Sequence, residues 1–131
     1  MQETERTSPI RTFRDLIAWR KAVAMVKEIY RLTQSFPDSE RFGLSSQLRR
    51  AAVSIPSNIA EGFARGTTAD YLRFLRIARG SLAEVQTQLV IAHELGFLGS
   101  TGQLSDQIAE VDRVLQGLIR SLEHKLRENP R

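Results

Sequence analysis

Tyr71, Leu75, Ala78, Leu82, Val85, Leu89 and Ala92 recur at steps of four and three without a break. A strand shows alternate side chains to one face, so this period fits only a long α-helix carrying one continuous packing seam. Such a seam cannot be buried by its own helix. The rest of the chain must supply partners for it.

Three further segments have the same character. From Asp15 to Phe36 two apolar seams run side by side, Leu16, Trp19, Val23, Val26, Tyr30 and Ala18, Ala22, Met25, Ile29, Leu32, Phe36, which marks a helix buried over a broad face. It ends at Phe36-Pro37, because the residue before proline is pushed out of the α region. From Ser39 to Ala64 runs a second helix with Leu44, Leu48, Ala51, Ile55, Ile59 and Phe63 on one side. Pro56 lies inside it and removes the donor for the Ala52 carbonyl, which predicts a kink or local break. Gly66 is the expected C-terminal cap, and Thr67 with Asp70 opens the third helix. Gly96 closes that helix, and Ser100 with Gln103 has capping-box spacing. The fourth helix then runs through Leu104, Ile108, Val111, Leu115, Leu118, Leu122 and Leu126 to Asn129-Pro130.

The chain has 131 residues, enough for one domain of ordinary size. Helices of this length joined by short turns pack most economically as antiparallel neighbours. The expected architecture is therefore all-α: an antiparallel up-down-up-down four-helix bundle over residues 12–128 with a proline-kinked second helix, preceded by a disordered N-terminal arm at residues 1–11. A helical hairpin pair swapped between subunits is the alternative. The apolar width of the helices, the first above all, predicts a homo-oligomer.

Several classes of chemistry are excluded or disfavoured. Cysteine is absent, which removes disulfides, thiol catalysis and Cys-ligated metals. His93 and His124 lie on different helices, and His93-Glu94-Leu95-Gly96 lacks the second histidine of a zinc-protease helix. No P-loop, dinucleotide fingerprint or nucleophile elbow occurs, and Glu61 and Glu84 lack the Glu-x-x-His partners of a di-metal bundle. No enzyme, cofactor or metal is expected. With no leader-like apolar stretch and no run long enough to span a bilayer, a cytoplasmic protein without a membrane partner is the simplest expectation.

Charge is the one uneven feature. Between Arg41 and Gly80 stand seven arginines and two acids, Glu61 and Asp70, a local +5 within a chain of net +4. Folding the second and third helices about Gly66 sets Glu61 against Leu72–Arg76, Ser54 near Arg79, and Arg49 and Arg50 near Glu84. Glu61 then pairs with Arg73 or Arg76, and Glu84 with Arg50. The remaining guanidiniums suit bidentate phosphate contacts, so Arg49, Arg50, Arg65, Arg73, Arg76 and Arg79 form a candidate nucleic-acid surface. Ser54, Asn58, Glu61, Ser81 and Glu84 form polar stripes beside the apolar seams. Buried there, they would need one another as hydrogen-bond partners, so an interhelical network fixing register is expected.

The residues also carry a family resemblance. Phe13-Arg14-Asp15-Leu16, Ala18-Trp19-Arg20-Lys21-Ala22, Phe36-Pro37 and Glu40-Arg41-Phe42-Gly43-Leu44 lead into the block from Ser46 to Phe63, followed by Arg65, Tyr71-Leu72-Arg73-Phe74-Leu75, Ala78-Arg79-Gly80-Ser81-Leu82 and Glu84. Over about residues 12–123 the chain resembles the bacterial 23S rRNA intervening-sequence proteins. The resemblance implies a left-handed antiparallel four-helix bundle assembled into a homopentameric ring, of biochemical role not established. The related accessory variability proteins of diversity-generating retroelements are basic barrels that engage nucleic acid and a reverse transcriptase. By that likeness RNA or DNA, and a partner protein such as a reverse transcriptase, are the partners to expect.

Two functions follow as expectations. In the first, a non-enzymatic oligomeric bundle presents the arginines of its second and third helices to RNA or DNA phosphates. In the second, the bundle is a protein-interaction scaffold whose arginines serve hairpin ion pairs and subunit contacts.

Overall fold

The computed structural model describes residues 9–130. Four α-helices carry the fold: α1 (Ile17–Thr33), α2 (Leu44–Ala64), α3 (Thr68–Glu94) and α4 (Gly102–Glu128). Among the described residues there is no strand. α1 packs on α2 and α4, and α3 on α2 and α4, so each helix has two principal neighbours around a shared core. This is the expected four-helix bundle.

The core follows the sequence periods. Met25, Ile29, Leu48, Ile55, Ile59, Leu75, Val85 and Leu115 have no exposed surface. Burying a side chain of this size contributes about 1.5–3 kcal/mol each before the loss of chain entropy is counted. Of the two seams on α1, the one through Ala18, Ala22, Met25 and Ile29 is buried up to half-buried Leu32. Along the other, Trp19 and Val26 are half-buried and Tyr30 is exposed.

α1 is shorter than the period suggests. Its start is displaced by a 3₁₀ turn, Phe13–Asp15, in which Thr12 Oγ1 accepts from the Arg14 N–H and Asp15 Oδ2 accepts from the Thr12 N–H. At its end Thr33 Oγ1 donates back to the Ile29 carbonyl at 2.8 Å, and the backbone tightens through Ser35 and Phe36. α2 likewise begins at Leu44 rather than Ser39. The intervening residues form another 3₁₀ turn, Asp38–Glu40, and Glu40 Oε1 accepts the Leu44 N–H at 3.0 Å.

α2 continues unbroken through Pro56, so the expected local break does not occur. The proline is buried, as are Ile55 before it and Ile59 one turn on. Gly66 (φ +89°) and Thr67, whose Oγ1 accepts the Asp70 N–H, make the α2–α3 turn as expected. Gly96 (φ +80°) ends α3 in a Schellman motif, with Phe97 N–H reaching the Ala92 carbonyl. The Ser100–Gln103 capping box is not formed. Thr101 is the N-cap of α4, and its hydroxyl bonds that of Ser105 instead.

Residues 1–8 of the expected arm lie outside the described residues. Ile10, within that arm, packs against the core.

Candidate functional site

The α2–α3 pair is the most extensive helix contact in the bundle. Its closeness depends on Gly62, where a Cβ would fall 2.7 Å from Phe74 Cβ and 3.2 Å from the Tyr71 carbonyl oxygen. Further along, Ser54 Oγ meets Ser81 Oγ at 2.8 Å. The register is thus close to the expected one, with Ser54 beside Ser81 rather than Arg79. Numbers falling along α2 while they rise along α3 mean that these two helices run in opposite directions.

Asn58 Nδ2 donates to both the Ser54 carbonyl and Ser54 Oγ, at 2.8 and 2.9 Å, and completes a small network with Ser81. The other two expected members are not in it. Glu61 is drawn to Arg65 on its own helix, and Glu84 is exposed and forms no ion pair among the described residues.

The six candidate arginines do not share one free surface. Arg65 pairs with Glu61 at 2.9 Å, four residues back, and Arg73 lies 3.8 Å from Asp70, three residues back. Both guanidiniums sit over the ring of buried Phe74, at 5.0 and 4.4 Å from its centroid. Arg76 and Arg79 reach α4, to Glu123 at 2.5 Å and Asp112 at 3.0 Å. Arg49 turns towards α1: its Nε donates to Thr33 Oγ1 at 2.7 Å, its Nη2 to the Tyr30 carbonyl at 3.2 Å, and its guanidinium covers the Tyr30 ring. A cation there also meets the negative end of the α1 dipole.

Arg50 alone of the six is exposed with no ion pair among the described residues. The expected Glu61 pairing with Arg73 or Arg76, and Glu84 pairing with Arg50, are therefore corrected. Pairs within one helical turn, and carboxylates on α4, take the arginines first.

Other charges tie the remaining faces. Lys21 on α1 lies 3.3 Å from Glu110 on α4, which also holds Arg113. The Arg113 hydrogen bond keeps the Glu110 carboxyl below its usual range, and Arg31 does the same for Glu28. Among the described residues no group of three His, Asp or Glu side chains could hold a metal ion, and no helix is long and apolar enough to cross a membrane.

Sequence reasoning missed one corner. Arg41 and Phe42, read as part of α2, stand in the turn before it, where Phe42 is 88% exposed. The available signal was Gly43, the N-cap of α2, a position that glycine favours and that places the residues before it outside the helix.

The family model of the 23S rRNA-intervening sequence proteins matches residues 14–117. No curated protein matches the chain. A crystal structure of a protein with unknown function from the S23 ribosomal protein family of Bacteroides thetaiotaomicron superposes with a TM-score of 0.70, at 21% identity over 79% of this chain and 96% of that one. That likeness extends to the bundle fold. With the helices, their register and the matched block in agreement, the chain belongs to the 23S rRNA-intervening sequence protein family.

Proposed function

We propose that the chain is a non-enzymatic structural bundle that assembles with copies of itself, its α2 and α3 arginines serving mainly as clasps within the subunit. The observation that carries this reading is the carboxylate beside each of Arg65, Arg73, Arg76 and Arg79. A phosphate-binding surface needs guanidiniums whose charge is not already neutralised.

Self-assembly is supported by the outer side of α3. Ile77 and Ile91 on α3 are 43% and 44% exposed, and Leu95, the residue that caps its C-terminus, is 59% exposed on the same side. Single exposed apolar residues are ordinary, but several along one rigid helix make a contact surface. Gly80, with open space around it, lets another helix approach this stripe closely.

Native mass spectrometry of the wild-type chain and of an Ile77→Glu/Ile91→Glu variant tests the reading. Assembled wild type and a helical, dissociated variant support it. A monomeric wild type, or a variant that assembles unchanged, contradicts it. The alternative reading, in which arginines face RNA or DNA phosphates, retains Arg50 and part of Arg49.

A further inference from the structure

Between the end of α1 and the start of α2 lies an open cleft of about 920 Å³. Arg41, Arg49 and Arg50 line it against a single carboxylate, Asp38. Glu40, the other acid of this corner, is occupied by the Leu44 N–H. Arg49 is fixed over Tyr30, whereas Arg41 and Arg50 are exposed and form no ion pair among the described residues.

Phe42 stands at the same cleft, and Arg41 lies 5.7 Å from its ring centroid. An almost wholly exposed phenyl ring beside unpaired guanidiniums offers a stacking face next to two anchors for negative charge. That pairing of groups matches a nucleobase and the phosphates on either side of it. The cleft is also open and near the upper end of the size range of small-ligand pockets, which favours a chain passing through over an enclosed small molecule.

We propose that this cleft binds single-stranded nucleic acid, one base stacking on Phe42 and the adjoining phosphates held by Arg41 and Arg50, with Arg49 as a fixed cation along the path. A duplex keeps its bases stacked on each other and cannot offer one to Phe42. An acidic peptide satisfies the arginines and leaves the ring without a flat partner. The site is independent of the α3 stripe, so it stands whether or not the chain assembles, and it uses only two of the six arginines singled out by charge.

The test is fluorescence anisotropy with a labelled oligouridylate of about 12 nucleotides. Wild type, Phe42→Ala, Arg41→Gln, Arg50→Gln and, as a control on the far end of α4, Arg127→Gln are compared by affinity, with circular dichroism and native mass run alongside. Binding should weaken with salt at a log–log slope of about −0.7 per phosphate held. Phe42→Ala should cost about tenfold in affinity, from lost stacking. Arg50→Gln should weaken binding several-fold and flatten the slope by about 0.7, and Arg127→Gln should change neither.

Absence of a salt-sensitive complex at low ionic strength would overturn the proposal. So would a Phe42→Ala variant that binds as well as wild type, or inorganic polyphosphate and duplex competing as well as the single strand. A Phe42→Ala variant that loses assembly, with no oligouridylate bound by wild type, would assign the cleft to a protein contact instead.

Discussion

Arg79 Nε donates to Asp112 Oδ1 at 3.0 Å, joining an arginine on α3 to a carboxylate on α4 that lies 33 residues further along the chain. Three residues earlier Arg76 does the same with Glu123. These two contacts decide how the arginine excess is used. Seen along α2 and α3 alone it looks like a free cationic face, and it becomes a set of straps once α4 is in place.

Both straps are half-exposed, and exposed ion pairs contribute about 0–1 kcal/mol each. Replacing both cations, Arg76→Gln/Arg79→Gln, should lower unfolding free energy by at most about 2 kcal/mol in urea melts, with helicity unchanged. The same variant should bind oligouridylate as wild type does. A large loss of affinity would return the nucleic-acid surface to α3.

Gly62 and Gly117 should respond in opposite directions to alanine. At Gly62 a methyl group meets the backbone and Cβ of α3, so Gly62→Ala should destabilise by about 1–3 kcal/mol through overpacking. Gly117 sits inside α4 with only the flexible end of Arg120 at 4.0 Å. Gly117→Ala should stabilise by up to about 1 kcal/mol through helix propensity. Thermal melts of the two variants check both.

Acid should loosen the contact between α1 and α4. Glu110, bound by Arg113 and Lys21, has its carboxyl held below the ordinary value of 4.5. Its contribution is complete above that value and is lost as pH falls through the lowered one. Between pH 7 and pH 3, the melting temperature of Glu110→Gln should therefore fall less than that of wild type. An equal fall would show that the Lys21–Glu110–Arg113 cluster adds nothing to stability.

Gln88 on α3 has its side-chain oxygen buried with no hydrogen-bond partner among the described residues. An unsatisfied buried acceptor costs about 1–3 kcal/mol. Gln88→Met, similar in volume and without the polar atoms, should raise the unfolding midpoint in urea. A lower midpoint would mean that the amide has a partner in solution.

The helices were legible because their apolar periods are long and uninterrupted, as in the seam from Leu75 to Ala92. Helix ends were less so. Thr33 and Glu40 bond backbone groups, and Thr101 turns its hydroxyl to Ser105, in ways that a period does not show. At Pro56 the local cost of proline was visible in sequence, while its burial inside a helix that runs on through it was not. Among the polar residues Ser54, Asn58 and Ser81 were readable from their spacing. Arg76, Arg79 and Arg49 were not, since their partners Glu123, Asp112 and Thr33 come from helices that the hairpin reading left out.

Sedimentation equilibrium of the wild-type chain at low salt and at about 1 M salt tests self-assembly through an apolar helix face most directly. At the higher concentration screening reaches only about 3 Å, which weakens surface ion pairs and leaves apolar contacts in place. The mass should be the same, and larger than one copy, under both conditions. A chain that is monomeric throughout, or that falls to single copies as salt rises, would contradict it.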